Sequence, residues 1–382
     1  MSVVLTARTH ALPFKLAVLA TAALTVSVLT LPGVAAAETR TFVVGYFGQA
    51  THNVQDSECP AGINPDVTVQ YLKNLVTLGY SQAEIDKMVN QSADNEGGSV
   101  NEIMRMRGRV NGQPTNPYAY PASVTDPKLN AMTGGKYAYG FDLDGKGAES
   151  PKAFEDPETH QAGVDNEMAR AFGCSRAFRG SVNARSAYWS WAWAQLKDSQ
   201  PAWVITITGA DLAKDGDVTV TFDRALHYLK SNIDGTPRAD TTYRIDPDPR
   251  SHNVLPGRLK DGVIQITEHG SFRMLQNPMV VNDFKLTNTH MRLNLKPDGT
   301  LDGILGGYQL WADIYSGFAH SAPAMEVCIT GDIPGLYYLL KRHADAQPDP
   351  KTGENSAIST SYTLMAVPAF VVSPDGKLAG GG

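Results

Sequence analysis

Hydrophobic residues alternate with polar ones along much of the chain after residue 201, and this pattern limits the possible folds most strongly. The segment WVITIT places Trp203, Ile205 and Ile207 on one face, as expected for a β-strand with one buried side. Asp-Gly pairs recur between such segments, and they favour the tight turns that join antiparallel strands. The sequence therefore predicts a mainly β protein with some α-helix, built as an antiparallel β-sandwich or jelly-roll-like body packed with short N-terminal helices and long ordered loops.

Helical periodicity is restricted to short segments. Residues 66–92 contain two such patterns, and Ser81 with Glu84 forms a capping box at the start of the second. Further short helices are predicted from Ser99 and over residues 333–346. Together the patterns predict a signal peptide over 1–37, a helical and irregular N-terminal region over 38–140, an acidic loop plus a Trp-rich helix over 141–200, and an antiparallel β body over 201–382.

The first residues have the composition of a secretory signal peptide. Arg8 and Lys15 come before the apolar run 16–31, and the small residues Ala35 and Ala37 follow it. This order of basic, apolar and small residues predicts cleavage near Ala37, and the apolar run is shorter than the about 20 residues that a spanning helix needs. We therefore expect an extracytoplasmic protein, periplasmic or secreted, with no membrane insertion after cleavage.

Charge and cysteine content limit the partners and the compartment. Loss of the two basic residues of the signal peptide would change the formal net charge from -6 to -8, and a mildly acidic chain argues against nucleic acid as a partner. In an oxidising compartment, two of the three cysteines can form a disulfide. The sequence does not choose the pair, although a bridge from Cys59 to Cys174 would tie the irregular N-terminal region to the acidic segment. It also leaves the oligomeric state open.

The segment FDLDGKGAESPKAFEDPETHQAGVDNEM, residues 141–168, contains eight carboxylates. Its opening resembles an EF-hand loop, but Lys146 and Ala153 stand where that loop needs oxygen ligands, which argues against a true EF-hand. Two interpretations remain, an irregular calcium site and a solvated acidic loop, and no organic cofactor is predicted. The candidate metal ligands are Asp142, Asp144, Glu149, Asp156, Asp165 and Asn166.

The segment SAYWSWAWAQLKDSQPAW spaces Trp189, Trp191 and Trp193 by two residues. On a strand the three side chains would share a face and could form a sugar-binding platform, whereas on a helix Trp191 points away from the other two. The surrounding helix-favouring residues indicate a helix that buries its tryptophans against the sheet. Trp191 is the candidate ligand-binding residue of this segment.

Polar residues with catalytic chemistry occur in two segments of the predicted β body, TEHGSFR and HMRLN. If these segments are neighbouring strands, His269, His290 and Arg292 could share a sheet face and act as acid, base and charge-binding groups on an acidic sugar. Arg273 and Asn294 are candidate ligand contacts beside them. The alternative is an outer sheet face with ordinary polar residues.

No short catalytic signature is present, since the sequence lacks G-x-S-x-G, H-E-x-x-H and P-loop motifs. Two hypotheses follow. The first is a non-catalytic secreted or periplasmic binding or envelope protein, stabilised by calcium, with a carbohydrate or another small molecule as its ligand. The second is an extracytoplasmic polysaccharide lyase or hydrolase that uses His269, His290 and Arg292.

Overall fold

The alternating segments form long antiparallel strands in the structure, a computed structural model. It describes residues 37–50, 52–94, 98–150, 153–179, 200–276, 283–320, 326, 329 and 331–379, all within the unit Ala36–Gly382. The predicted signal peptide, apart from Ala37, lies outside the described residues. The strands are β1 (Glu38–Gln49), β2 (Gly108–Val110), β3 (Gln113–Thr115), β4 (Phe154–Glu155), β5 (Ala162–Val164), β6 (Pro201–Gly209), β7 (Gly216–Tyr228), β8 (Thr241–Arg244), β9 (His252–Lys260), β10 (Val263–Ile266), β11 (Phe272–Leu275), β12 (Asp283–Leu295), β13 (Leu301–Leu310), β14 (Ala346–Pro348) and β15 (Asn355–Val372).

Helices of the described residues are short and lie between the strands along the chain. The α-helices are α1 (Val67–Thr77), α2 (Gln82–Asp94), α3 (Gly98–Arg105), α4 (Glu167–Phe172), α5 (Trp311–Ala319) and α6 (Ile333–His343). Single-turn 3-10 helices cover Asp56–Glu58, Pro121–Ser123, Gly147–Glu149, Arg176–Phe178 and Pro249–Ser251. Among the described residues, no helix is long and apolar enough to cross a membrane.

The predicted sandwich or jelly roll is wrong, because the main sheet closes on itself. Strands β1, β6, β7, β9, β10, β12, β13 and β15 are hydrogen-bonded in that order, and β15 pairs again with β1. Residues 38–43 of β1 pair with β6 and residues 42–49 pair with β15, so this one strand completes an eight-stranded antiparallel barrel. Alternation shows only that one face of a strand is buried. The same alternation occurs whether the buried face packs against a second sheet or points into a closed barrel.

Large side chains fill the barrel as the alternation predicts. Trp203, Ile205 and Ile207 are all buried in the main core cluster. The Trp203 side chain meets Phe47 at 5.0 Å and Phe222 at 5.6 Å between ring centroids, both edge to face. The interior is therefore a packed core, as expected for a barrel of eight strands.

The helices occur close to their predicted positions. α1 and α2 confirm the two patterns of residues 66–92, and the capping box forms, since the Ser81 backbone N–H donates to the Glu84 carboxylate at 2.8 Å. α6 confirms the helix predicted over 333–346 and packs with α4 and α5 in the same core cluster as the barrel interior. A disulfide joins Cys59 to Cys174, the bridge favoured at the sequence level. Cys328 lies outside the described residues.

Candidate functional site

An irregularity in β12 shapes the outer wall of the barrel. The pairing of β12 with β13 shifts between Thr287 and His290, and Asn288 adopts a left-handed conformation with φ of 49°. Such bulges commonly redirect side chains near binding sites. Here the Asn288 amide turns outward and donates to the backbone carbonyl of Leu143 at 2.9 Å. The bulge therefore fixes the acidic segment against the barrel beside His290.

Two histidines stack at this point. His269 belongs to the loop between β10 and β11. The centroid of its ring lies 3.7 Å from that of the His290 ring, and the two ring planes differ by 11°. The Nδ1 atom of His269 lies 3.1 Å from the backbone carbonyl of Thr289, and because a carbonyl only accepts, Nδ1 carries the hydrogen. The Thr289 backbone N–H in turn donates to the carbonyl of Gly270 at 3.0 Å. The loop is thus fixed to the bulge from both sides.

The environment keeps His290 uncharged near neutral pH. Burial, together with the neighbouring His269, lowers the pKa of His290 to about 4. Phe141 of the acidic segment also contacts His290, with 5.4 Å between the two ring centroids. A neutral imidazole can donate one hydrogen bond and accept another, so His290 can contact a hydroxyl group in either role.

Arg292 is almost fully buried and its charge is already paired. Its guanidinium lies 3.1 Å from the carboxylate of Asp156 and 3.6 Å from that of Glu158. Asp156 is fully buried, and its carboxylate also accepts from the backbone N–H groups of Glu158 and Thr159 at 3.0 and 2.9 Å. These contacts make the Asp156–Arg292 pair a fixed part of the wall.

The pKa shifts of the two acids agree with this arrangement. Burial acts to raise the pKa of Asp156, but the Thr159 N–H, the Arg292 charge and the Glu158 N–H together hold that pKa below its usual value. Burial also raises the pKa of Glu158, and the charge of Asp156 adds to the increase against the opposing effect of Arg292. Arg292 therefore stabilises mainly the charge of Asp156.

A pocket of about 250 Å³ lies beside the stacked histidines and Arg292 on the outside of the barrel. The structure brings the three predicted catalytic residues together, since all of them line it. Gln265 is a lining residue that the sequence did not reveal, although it pairs directly with Arg292 across β10 and β12. The full lining consists of Phe141, Asp142, Gln161, Gln265, Ile266, His269, His290, Met291 and Arg292.

Three of the six predicted metal ligands also meet. Asp142, Asp144 and Asp165 offer carboxylate oxygens that all lie within 4.8 Å of one another. Burial raises the pKa of Asp165, and the charges of Asp144 and Asp142 act in the same direction against two backbone N–H donors. One oxygen of Asp142 is buried and has no hydrogen-bond partner among the described residues. Lys146 supplies one positive charge to this group through an ion pair with Asp144 at 2.8 Å.

The other predicted metal ligands lie elsewhere. Asp156 pairs with Arg292, and Glu149 is exposed at the end of the single turn Gly147–Glu149. Asn166 caps the start of α4, where its side chain accepts from the Ala169 backbone N–H at 3.0 Å. The acidic triad, by which we mean Asp142, Asp144 and Asp165, is thus the part of the segment that could hold a metal ion.

The predicted ligand contacts outside the histidine region do not line the pocket. Arg273 forms an ion pair with Asp283 at 2.8 Å across β11 and β12, and Asn294 donates to Asp302 at 2.9 Å. Trp191 lies outside the described residues.

Comparison with known proteins gives no match to a family model, a curated protein or a solved structure. The class of protein is therefore defined by the fold and the site alone: an antiparallel β-barrel with a small polar pocket on its outer wall.

Proposed function

We propose that the protein is an extracytoplasmic, non-catalytic binding protein that holds a small carbohydrate or a similar polar molecule in the pocket on the barrel wall. The observation that supports this proposal is the convergence of hydrogen-bonding side chains and one aromatic ring, Phe141, around a single cavity. Polar groups that fix a ligand beside an aromatic surface are typical of small-molecule sites. The volume of about 250 Å³ is below the range of about 300 to 1,000 Å³ for drug-sized ligands, which favours a ligand of monosaccharide size.

A calcium ion at the acidic triad is the second part of the proposal. Calcium takes about six to eight oxygen ligands, and backbone carbonyls and water can supply those that carboxylates do not. Asp142 belongs to the triad and also lines the pocket. A cation at the triad would therefore stabilise the wall that carries Phe141.

The enzymatic alternative has one observation in its favour, which is that His269, His290 and Arg292 line the same pocket. As a polysaccharide lyase or hydrolase, the protein would use the neutral imidazole of His290 as a general base. Arg292 would be a weak partner for a substrate carboxylate, because Asp156 already neutralises it. Binding without chemistry is therefore the function that the geometry supports best.

Ligand-observed NMR with a panel of neutral monosaccharides and disaccharides tests the binding function. We expect binding by the purified protein and its loss in Gln265→Ala and His269→Ala, while His227→Ala, which removes an exposed imidazole outside the pocket lining, keeps it. Absence of binding, or binding that survives both pocket substitutions, would contradict the proposal. Release of reducing ends or unsaturated products from polysaccharides would establish the enzymatic alternative.

Thermal unfolding in EDTA and then in millimolar calcium tests the cation. A ligand that binds only the folded state raises the melting temperature by mass action. We expect a rise that the double variant Asp142→Ala, Asp144→Ala loses and that Glu149→Gln retains, because Glu149 lies outside the triad. An equal response of all three proteins would exclude the triad as the calcium site.

A further inference from the structure

We infer that the pocket selects neutral sugars and excludes acidic ones, because the Asp156–Arg292–Glu158 network neutralises its cationic wall. This inference rests on the proposed binding function and specifies its ligand class. Arg292 is the one lysine or arginine among the described residues that line the pocket. The charge balance around that guanidinium therefore decides how the pocket responds to an anionic ligand.

Arg292 is not available to a carboxylate on a ligand. Asp156 and Glu158 both lie within ion-pair distance of the guanidinium, at 3.1 and 3.6 Å, so the local charge is already balanced or negative. Asp142 adds a further carboxylate to the lining, and a divalent ion bound by the three carboxylates of the acidic triad would still leave that group without a net positive charge. A uronate that entered would lose water from its charge without gaining a free cation, which is unfavourable in a partly buried site.

The hydrogen bonds of Asp156 oppose any movement that would break its ion pair with Arg292 and free the guanidinium for a ligand. Its carboxylate accepts from the backbone N–H groups of Thr159, Glu158 and Gly140, at 2.9, 3.0 and 3.4 Å. Moving it would leave three backbone donors without this partner, one of them buried and two partly buried, and the loss of a buried hydrogen bond is costly. The network therefore persists when a ligand enters.

The remaining polar lining suits hydroxyl groups. Gln161 and Gln265 present amides that donate and accept, and His269 and His290 present imidazoles. Burial and the neighbouring His269 together lower the pKa of His290 to about 4, so His290 adds no positive charge to the pocket near neutral pH. A neutral polyhydroxylated ligand can satisfy these groups without any uncompensated charge.

Matched sugar pairs test the inference. Affinities are measured by calorimetry for glucose and glucuronate, galactose and galacturonate, and mannose and mannuronate, since each pair differs only at one carbon. We expect the neutral member of the bound pair to bind at least tenfold more tightly. Glu158→Gln should reduce the ratio of the neutral to the acidic sugar's affinity at least threefold. Asp156→Asn should reduce this ratio further, because it leaves the charge of Arg292 less compensated.

Two controls keep the test decisive. Asp156 is fully buried and its substitution can unfold the protein, so the half-exposed Glu158 provides the independent variant. Glu155→Gln removes a carboxylate that pairs with Lys136 and His160 rather than with Arg292, and it should leave the ratio unchanged. Tighter binding of uronates, or a ratio that Glu158→Gln does not alter, would overturn the inference while the binding function stands. No binding of any sugar would overturn the binding function as well.

Discussion

His290 couples the stability of the folded protein to pH. Its folded-state pKa of about 4 lies below the usual value of 6.5, so between these values the unfolded chain binds more protons than the folded one. Stability therefore falls as the pH decreases through this window and recovers as the pH rises. We expect His290→Gln to flatten this part of the profile, measured as urea midpoints at several pH values from about 4 to 7.

The matched control for this prediction is His227→Gln, which removes an exposed imidazole on β7. It should leave the pH profile of the unfolding midpoint parallel to that of the unsubstituted protein. If His290→Gln and the control gave the same slope between pH 4 and 6.5, the half-buried imidazole of His290 would not contribute to acid sensitivity.

Gly306 on β13 allows the acidic segment to pack against the barrel. A Cβ atom there would lie 2.7 Å from the ring of Phe141 and 2.9 Å from the hydroxyl of Ser361, which is closer than such contacts allow. We expect Gly306→Ala to lower the free energy of unfolding by about 1–3 kcal/mol through overpacking and to weaken ligand binding. Urea unfolding measures the loss, and Gly216→Ala is the control, because nothing lies within 4 Å of the added atom. Equal stability of the two variants would exclude a close contact at Gly306.

At the scale of elements, local pattern predicts most of what the chain forms. The capping box of Ser81 and Glu84 marks the start of α2, and the alternation in HMRLNL separates the interior side chains of β12 from the exterior ones. These signals depend only on neighbouring residues. The sequence pattern predicts a helical and irregular region over 38–140, but the structure contains the barrel strand β1 there. Its residues 42–44 form a continuous apolar run that hides the alternation.

A buried ion cluster connects the N-terminal helices to the start of α6. Arg107 pairs with Asp332 and, at 3.4 Å, with Glu326, and Tyr71 of α1 donates to Glu326. Burial raises the pKa of Asp332 against the effect of Arg107, and the charge of Glu326 adds to the increase. One guanidinium thus compensates two buried carboxylates.

We expect Arg107→Ala to destabilise the protein by about 3–5 kcal/mol, because it leaves buried charge without a partner. Arg109→Ala is the control, since Arg109 is exposed two residues away, and its effect should stay within about 0.5 kcal/mol. Urea unfolding of both variants gives the two free energies. A small loss for Arg107→Ala would mean that the carboxylates reach solvent or accept protons at little cost.

Closure of the barrel and assembly of the pocket both depend on contacts that are distant in sequence. β1 meets β15 across most of the chain, and Gln265 reaches the site only because β10 pairs with β12. Phe141 and His290 come together through the packing of a loop on a strand, for which the sequence carries no periodic signal. Alternation predicts that His290 and Arg292 share one face of β12, but it does not identify the residues of other segments that complete the pocket. The sequence therefore leaves open which distant strands pair with one another. For this reason it does not distinguish a sandwich from a barrel, since both have the same local alternation.

The disulfide supports this non-local architecture by restricting the unfolded chain. Cys59 and Cys174 are 115 residues apart, and a bridge over so long a segment removes much of the conformational freedom of the unfolded state. We expect reduction, or the double variant Cys59→Ser, Cys174→Ser, to lower the free energy of unfolding by about 2–5 kcal/mol. Urea unfolding with and without reductant measures it, and Cys328→Ser should respond to reductant as the unsubstituted protein does. If neither the reductant nor the double variant changed the midpoint, the bridge would add nothing to the stability of the folded protein.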